Sequence, residues 1–189
     1  MKTIIAIDPG KSGGYAVKWG LTPAPRGQIQ TTRGITLHKM PESDVELVDH
    51  IRELVSNSAD DGVEIEAVIE TVGGYVGGKG APGSSMFNFG FSTGFVHGAI
   101  IALGIPLHEI RPQEWQKRVN AGTSKIHGTK PAWKRHLVNL AKKHFPQVQG
   151  INLSTADALL ILEAHLKWVP NLKHVQAALV LGDYCSSCS

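Results

Sequence analysis

Two short apolar runs in this sequence each end in a carboxylate: Ile4-Ile5-Ala6-Ile7 stops at Asp8, and Ala67-Val68-Ile69 stops at Glu70. Runs of this length, rich in β-branched residues and without polar alternation, read as strands buried on both faces. Such a sheet needs helices above and below it, which points to an α/β fold. A carboxylate in apolar company is costly to ionise unless a base, a donor or a metal compensates it. A third acid shares that setting, since Asp157 lies within Ala156-Asp157-Ala158-Leu159-Leu160-Ile161-Leu162. Taken singly, Asp157 also reads as a first-turn acid favoured by a helix dipole, and Asp8 before Pro9-Gly10 as a turn former. Glutamate has less reason to end a buried strand.

The rest of the chain supplies the other elements. The first run, 3–7, is followed by a glycine turn at 9–14 and a returning strand at 15–19, a hairpin pattern. A loop is expected over 20–30 and a third strand over 35–40. Val45, Val48, Ile51, Leu54 and Val55 recur at helical spacing within 43–57. After the strand at 67–71 comes a glycine-rich stretch, 73–83, then a largely apolar helix over 84–103 and a strand over 105–110. Pro112 opens a short helix, 112–119, because proline is tolerated at a first helical position. A polar loop at 120–128 precedes a basic helix at 131–145, and Ser154 is the expected N-cap of a helix over 155–167. A last helix is expected near 175–181. With no repeat or linker, one domain over 1–168 and a C-terminal tail over 169–189 are expected.

The formal net charge of +3 conceals an asymmetry. Residues 41–70 hold ten acids and one base, Arg52, whereas residues 111–150 hold nine bases and one acid, Glu114. Among those bases are Lys117, Arg118, Lys125, Lys130, Lys134, Arg135, Lys142 and Lys143, interleaved with Trp115, Trp133, His127, His136 and His144. The segment reads either as a solvated helix surface or as a face for a polyanion, where aromatics stack and bases meet phosphate. No apolar run approaches the roughly 18 residues of a membrane span, and no signal-peptide pattern opens the chain. Cys185 and Cys188 are spaced like half a zinc knuckle, but no second pair exists and His174 is isolated, so they read as part of the tail. A reducing, cytoplasmic setting is expected.

If the first and fourth strands are adjacent and parallel, Asp8 and Glu70 emerge side by side at their C-terminal ends, where α/β sheets place ligands. Two or three converging carboxylates suit Mg2+. Metal ions about 4 Å apart could activate water and steady the leaving oxygen of a phosphodiester.

Ile5-Ala6-Ile7-Asp8-Pro9-Gly10, Val68-Ile69-Glu70 and Ser154-Thr155-Ala156-Asp157-Ala158-Leu159, in this order, resemble the RuvC-type Holliday junction resolvases of the RNase H-like superfamily. The resemblance covers roughly 3–168. It implies a mixed five-stranded sheet flanked by helices, and a Mg2+-dependent homodimer that nicks a four-way DNA junction symmetrically. Asp8, Glu70 and Asp157 would be catalytic metal ligands, with Mn2+ able to substitute. The family has a fourth carboxylate three residues before the last acid, a position held here by Ser154. Ser154 and His165, two turns beyond Asp157, are accessory candidates. A helicase partner is left open, as are the host and a bacterial, phage or organellar origin.

The family inserts an aromatic from the loop after the second acid into the junction. Tyr75 is the nearest candidate here, and Lys79 in the same loop could meet phosphate, as could Lys125, Lys130, Lys134 and Arg135. Gly90, Gly94 and Gly98 lie at four-residue spacing on the apolar helix, which the family uses in its dimer interface. Rival readings are a junction-binding protein that has lost catalysis, and another RNase H-like nuclease acting on branched DNA or RNA-DNA hybrids. The turn Asp8-Pro9-Gly10-Lys11-Ser12-Gly13-Gly14 also resembles the first phosphate loop of actin-like kinases, but that fold needs more chain than 189 residues.

Overall fold

The computed structural model describes residues 2–20, 34–60, 62–71 and 83–181. Five strands, β1 (Lys2–Asp8), β2 (Gly14–Lys18), β3 (Ile35–Lys39), β4 (Glu64–Glu70) and β5 (Leu107–Ile110), form one sheet in the order β3-β2-β1-β4-β5. The β1–β2 and β2–β3 pairs are antiparallel, whereas β1–β4 and β4–β5 are parallel. The mixed sheet follows from its connections. A short turn joins the antiparallel β1 and β2, and stretches containing a helix lead from β3 to β4 and from β4 to β5, bringing the chain back parallel.

The helices are α1 (Asp44–Asp60), α2 (Gly83–Ala102), α3 (Pro112–Arg118), α4 (Lys130–His144) and α5 (Ala156–Leu181). Side chains alternate across each strand, and two separate cores result. Ile5, Ile7, Tyr15, Val17, Ala67 and Ile69 face α1 and α2, meeting Leu47, Ile51, Leu54, Val96 and Ile100. Ile4, Ala6, Ala16, Val68 and Ile110 face the other way, onto Trp115 of α3, Leu137 of α4 and the buried stretch Ala158 to Leu162 of α5. Each fully buried isoleucine or leucine contributes about 1.5–3 kcal/mol by leaving water.

Several expectations change in detail. One continuous helix, α5, occupies 156–181, where separate helices over 155–167 and 175–181 were expected. Ser154 is not the residue that starts α5. Asn152 takes that part, its side-chain oxygen accepting from the Ser154 N–H at 2.9 Å and its carbonyl from the Ala156 N–H at 3.0 Å. The polar loop at 120–128 contains a short 3-10 turn, Ser124–His127. The strand expected to start at Ala67 begins at Glu64. Most of the loop over 20–30 and of the glycine-rich stretch over 73–83 lies outside the described residues.

Candidate active site

Parallel pairing aligns Ile7 with Ile69, so the next residues, Asp8 and Glu70, leave the sheet side by side at its C-terminal edge. Alternation puts both on the face covered by α5, together with Ile4, Ala6 and Val68. The hairpin holds this edge closely. The Gly13 N–H donates to the Gly10 carbonyl at 2.9 Å, and a Cβ on Gly13 would come within 2.2 Å of the Asp8 carbonyl oxygen. Gly14 is the register partner of Asp8, and a Cβ there would lie 2.8 Å from the Ser154 carbonyl oxygen. Ser154 and the start of α5 are thereby brought beside Asp8.

Asp157, in the first turn of α5, is 6% exposed. One of its oxygens, Oδ2, accepts from the Lys134 ammonium of α4 at 2.5 Å. The other, Oδ1, is buried without a hydrogen-bond partner. Burial pushes Asp8 up to about 6, aided by the charge of Asp157, while Lys134 and a contact with Glu70 oppose the shift. Burial likewise pushes Glu70 up to about 7, aided by Asp8 and then Asp157. The Trp115 indole makes no hydrogen bond of ordinary geometry, yet it points close enough to Glu70 to favour the carboxylate. Burial works to lower the pKa of Lys134, but Asp157 foremost, then Asp8 and Glu70, outweigh it and raise the value.

The charge of one ammonium, bonded to Asp157, therefore acts on three carboxylates, and Asp8 and Glu70 resist ionisation. The deficit of positive charge and the unpartnered Asp157 oxygen are what a hard divalent cation with oxygen ligands would correct, so the donor set fits Mg2+.

The other expected residues fall in several places. Lys125, Lys130 and Arg135 are exposed on the 3-10 turn and α4, whereas Lys134 turns inward to the acids. Lys117, Lys125, Gln113, Gln116, Asn120 and Trp133 line a cavity of about 810 Å³. The interleaved aromatics are mostly structural. Trp115 is 1% exposed and Trp133 8% exposed, because both fill the space between α5 and the helices before it. Arg118 is paired with Glu114 and lies over the Trp168 ring, 5.3 Å from its centroid. His165 sits about 12 Å along α5 from Asp157, hydrogen-bonded to Glu66 Oε1 at 2.9 Å. Tyr75 and Lys79 lie outside the described residues.

No family model matches the chain, and no curated protein matches it by sequence. Solved structures match it in shape. Thermus thermophilus RuvC in complex with a Holliday junction substrate has a TM-score of 0.52 at 16% identity, the match covering 90% of this chain and 96% of that one. A second Thermus thermophilus RuvC structure gives a TM-score of 0.50 at 16% identity, covering 89% and 95%. The fold is that of RuvC. The mixed five-stranded sheet with flanking helices is the architecture that the resemblance to RuvC-type resolvases implied. Among the described residues, no helix is long and apolar enough to cross a membrane.

Proposed function

We propose that the chain is a Holliday junction resolvase, a divalent-metal-dependent endonuclease that nicks four-way DNA junctions in symmetric pairs. One observation carries the reading: Asp8, Glu70 and Asp157, far apart in sequence, act on one another electrostatically at the C-terminal edge of a RuvC-type sheet. These three residues would hold Mg2+ or Mn2+, which supplies an activated water and charge stabilisation for the leaving oxygen of a phosphodiester.

The chain's own groups do the rest. Lys134 fixes the Asp157 carboxylate and places an ammonium where a phosphate must approach three acids. Lys125, Lys130 and Arg135 offer exposed cations to the DNA backbone, whose contacts position the substrate without reading its sequence. Tyr75 is assigned to the junction centre and Lys79 to a neighbouring phosphate. Phe87, Phe91 and Ile101 stay 71%, 59% and 58% exposed on α2, an apolar surface suited to a second copy. A two-fold dimer on a pseudo-two-fold junction explains paired cuts by geometry.

The Lys134–Asp157 pair, together with Ser154 in place of a fourth acid, favours a second reading: a junction-binding protein impaired in catalysis. Incubation of the purified chain with a synthetic four-way junction and with linear duplex, in Mg2+, Mn2+ or EDTA, separates the two. Metal-dependent, ligatable nicks in the junction alone are expected. Tight junction binding without nicks would support the second reading, and equal cutting of the duplex would reject junction selectivity.

A further inference from the structure

The face of the sheet that carries the acids holds a second constellation at its opposite end. Glu66 lies four residues before Glu70 on β4, His108 is on the adjoining strand β5, and His165 reaches down from α5. One ligand atom from each of the three lies within 4.8 Å of the others. The convergence follows from register. Val68 pairs with His108, so Glu66 and His108 are diagonal neighbours on one face, beneath α5.

Glu66 and His165 are 4% and 2% exposed. Glu66 Oε1 is 2.9 Å from His165 Nε2, and Oε2 accepts from the Lys2 ammonium at 2.8 Å. An ion pair with Lys2 and a hydrogen bond to His165 would be enough to satisfy a buried carboxylate. They do not explain His108, whose Nε2 stands 3.9 Å from Glu66 Oε2, beyond hydrogen-bond reach. Its ring is 5.0 Å from that of His165, and both rings border Trp168, with centroids 6.4 Å and 6.3 Å away.

We propose that Glu66, His108 and His165 form a second metal site, selective for a transition-metal ion of the zinc class. Two imidazole nitrogens and one carboxylate oxygen are the donors such ions prefer, whereas the all-oxygen acid cluster suits Mg2+. Bonds of about 2.0–2.2 Å place ligand atoms a little over 3 Å apart, so the donors need close by only about 1 Å. Solvent completes the coordination, because His108 is partly exposed and gives the ion an entry path. Lys2 is the competing cation. Its side chain is 48% exposed and swings outward when the ion enters. The site would clasp β4, β5 and α5 together, independently of the nuclease reading.

The test is titration of the full chain with Co2+ in excess Mg2+, followed by visible absorption and by displacement with Zn2+. One equivalent of Co2+ is expected to bind. His108→Asn, which removes a partly exposed ligand and leaves the core intact, should weaken binding at least about tenfold. Lys2→Met should tighten it by removing the competitor, and Asp8→Asn should leave it unchanged. Absence of Co2+ binding by the wild-type chain, affinity unchanged in His108→Asn, or loss in Asp8→Asn would each overturn the proposal.

Discussion

Glu70→Gln should make the metal-free protein more stable at pH 8 and leave it nearly unchanged at pH 4.5. The folded state holds Glu70 at about 7 against an ordinary 4.5, mainly through burial and then the charge of Asp8. Below 4.5 the folded and unfolded chains both carry the proton, and the group adds no pH dependence. Between 4.5 and 7 the unfolded chain releases the proton that the folded chain keeps, so stability falls as pH rises; above 7 the loss is complete. At about 1.36 kcal/mol per pH unit, the loss is about 3 kcal/mol. This is a ceiling, because Glu70 and Asp8 titrate as a pair. Glutamine keeps the shape without the charge and removes the loss. Urea unfolding in EDTA should show the variant midpoint rising at pH 8 by up to about 1–3 M, given slopes of about 1–3 kcal/mol per molar. Mg2+ should then stabilise the wild type far more than the variant. An identical variant-to-wild-type difference at both pH values would refute the reasoning, as would destabilisation at pH 8.

Asp8→Asn should abolish junction cleavage while leaving junction binding intact, measured by gel mobility; full activity in that variant would exclude Asp8 from the site. Lys130→Ala and Arg135→Ala should each weaken junction binding and lower the slope of log affinity against log salt by about 1, because each removes one phosphate contact. An unchanged slope would place those side chains off the DNA path. Sedimentation at micromolar concentration should find a dimer that Phe91→Glu converts to monomer, and a monomeric wild type would remove α2 from the proposed interface.

The strands that position the acids were legible because each is a short apolar run with one polar terminator. Their adjacency was not. Ile7 and Ile69 are register partners across more than sixty residues, and local pattern carries no information about long-range pairing. The resemblance of the three acid-bearing segments to RuvC supplied that order. The glycine turn was read as a turn, but its tightness against Asp8 and Ser154 became visible only in space. Trp115 and Trp133 misled for a related reason. Between basic residues they read as a stacking surface, whereas α5 is apolar enough to draw both into the core beneath the basic helices.

Lys134 and Glu66 show what sharper use of periodicity would have found. Trp133, Leu137 and Ala141 are the buried stripe of α4; Lys134 follows Trp133 by one position, at the edge of that stripe, where a long side chain reaches inward to an acid. A strand begun at Glu64 instead of Ala67 puts Glu66, Val68 and Glu70 on one face by alternation alone. Glu66 lies about 13 Å from Glu70 along the strand, and His165 lies about 12 Å from Asp157 along α5. The two spans match because α5 runs back along β4, starting at the acids and passing over Glu66. Helix and strand are tied directly at the histidine end by the Glu66–His165 contact, while at the acid end Lys134 of α4 bonds Asp157 and its charge offsets the repulsion among the three acids. A sliding of α5 that opened the histidine end would carry Asp157 away from Asp8 and Glu70, so the buried Glu66–His165 contact helps to set the geometry of the acids that it never touches.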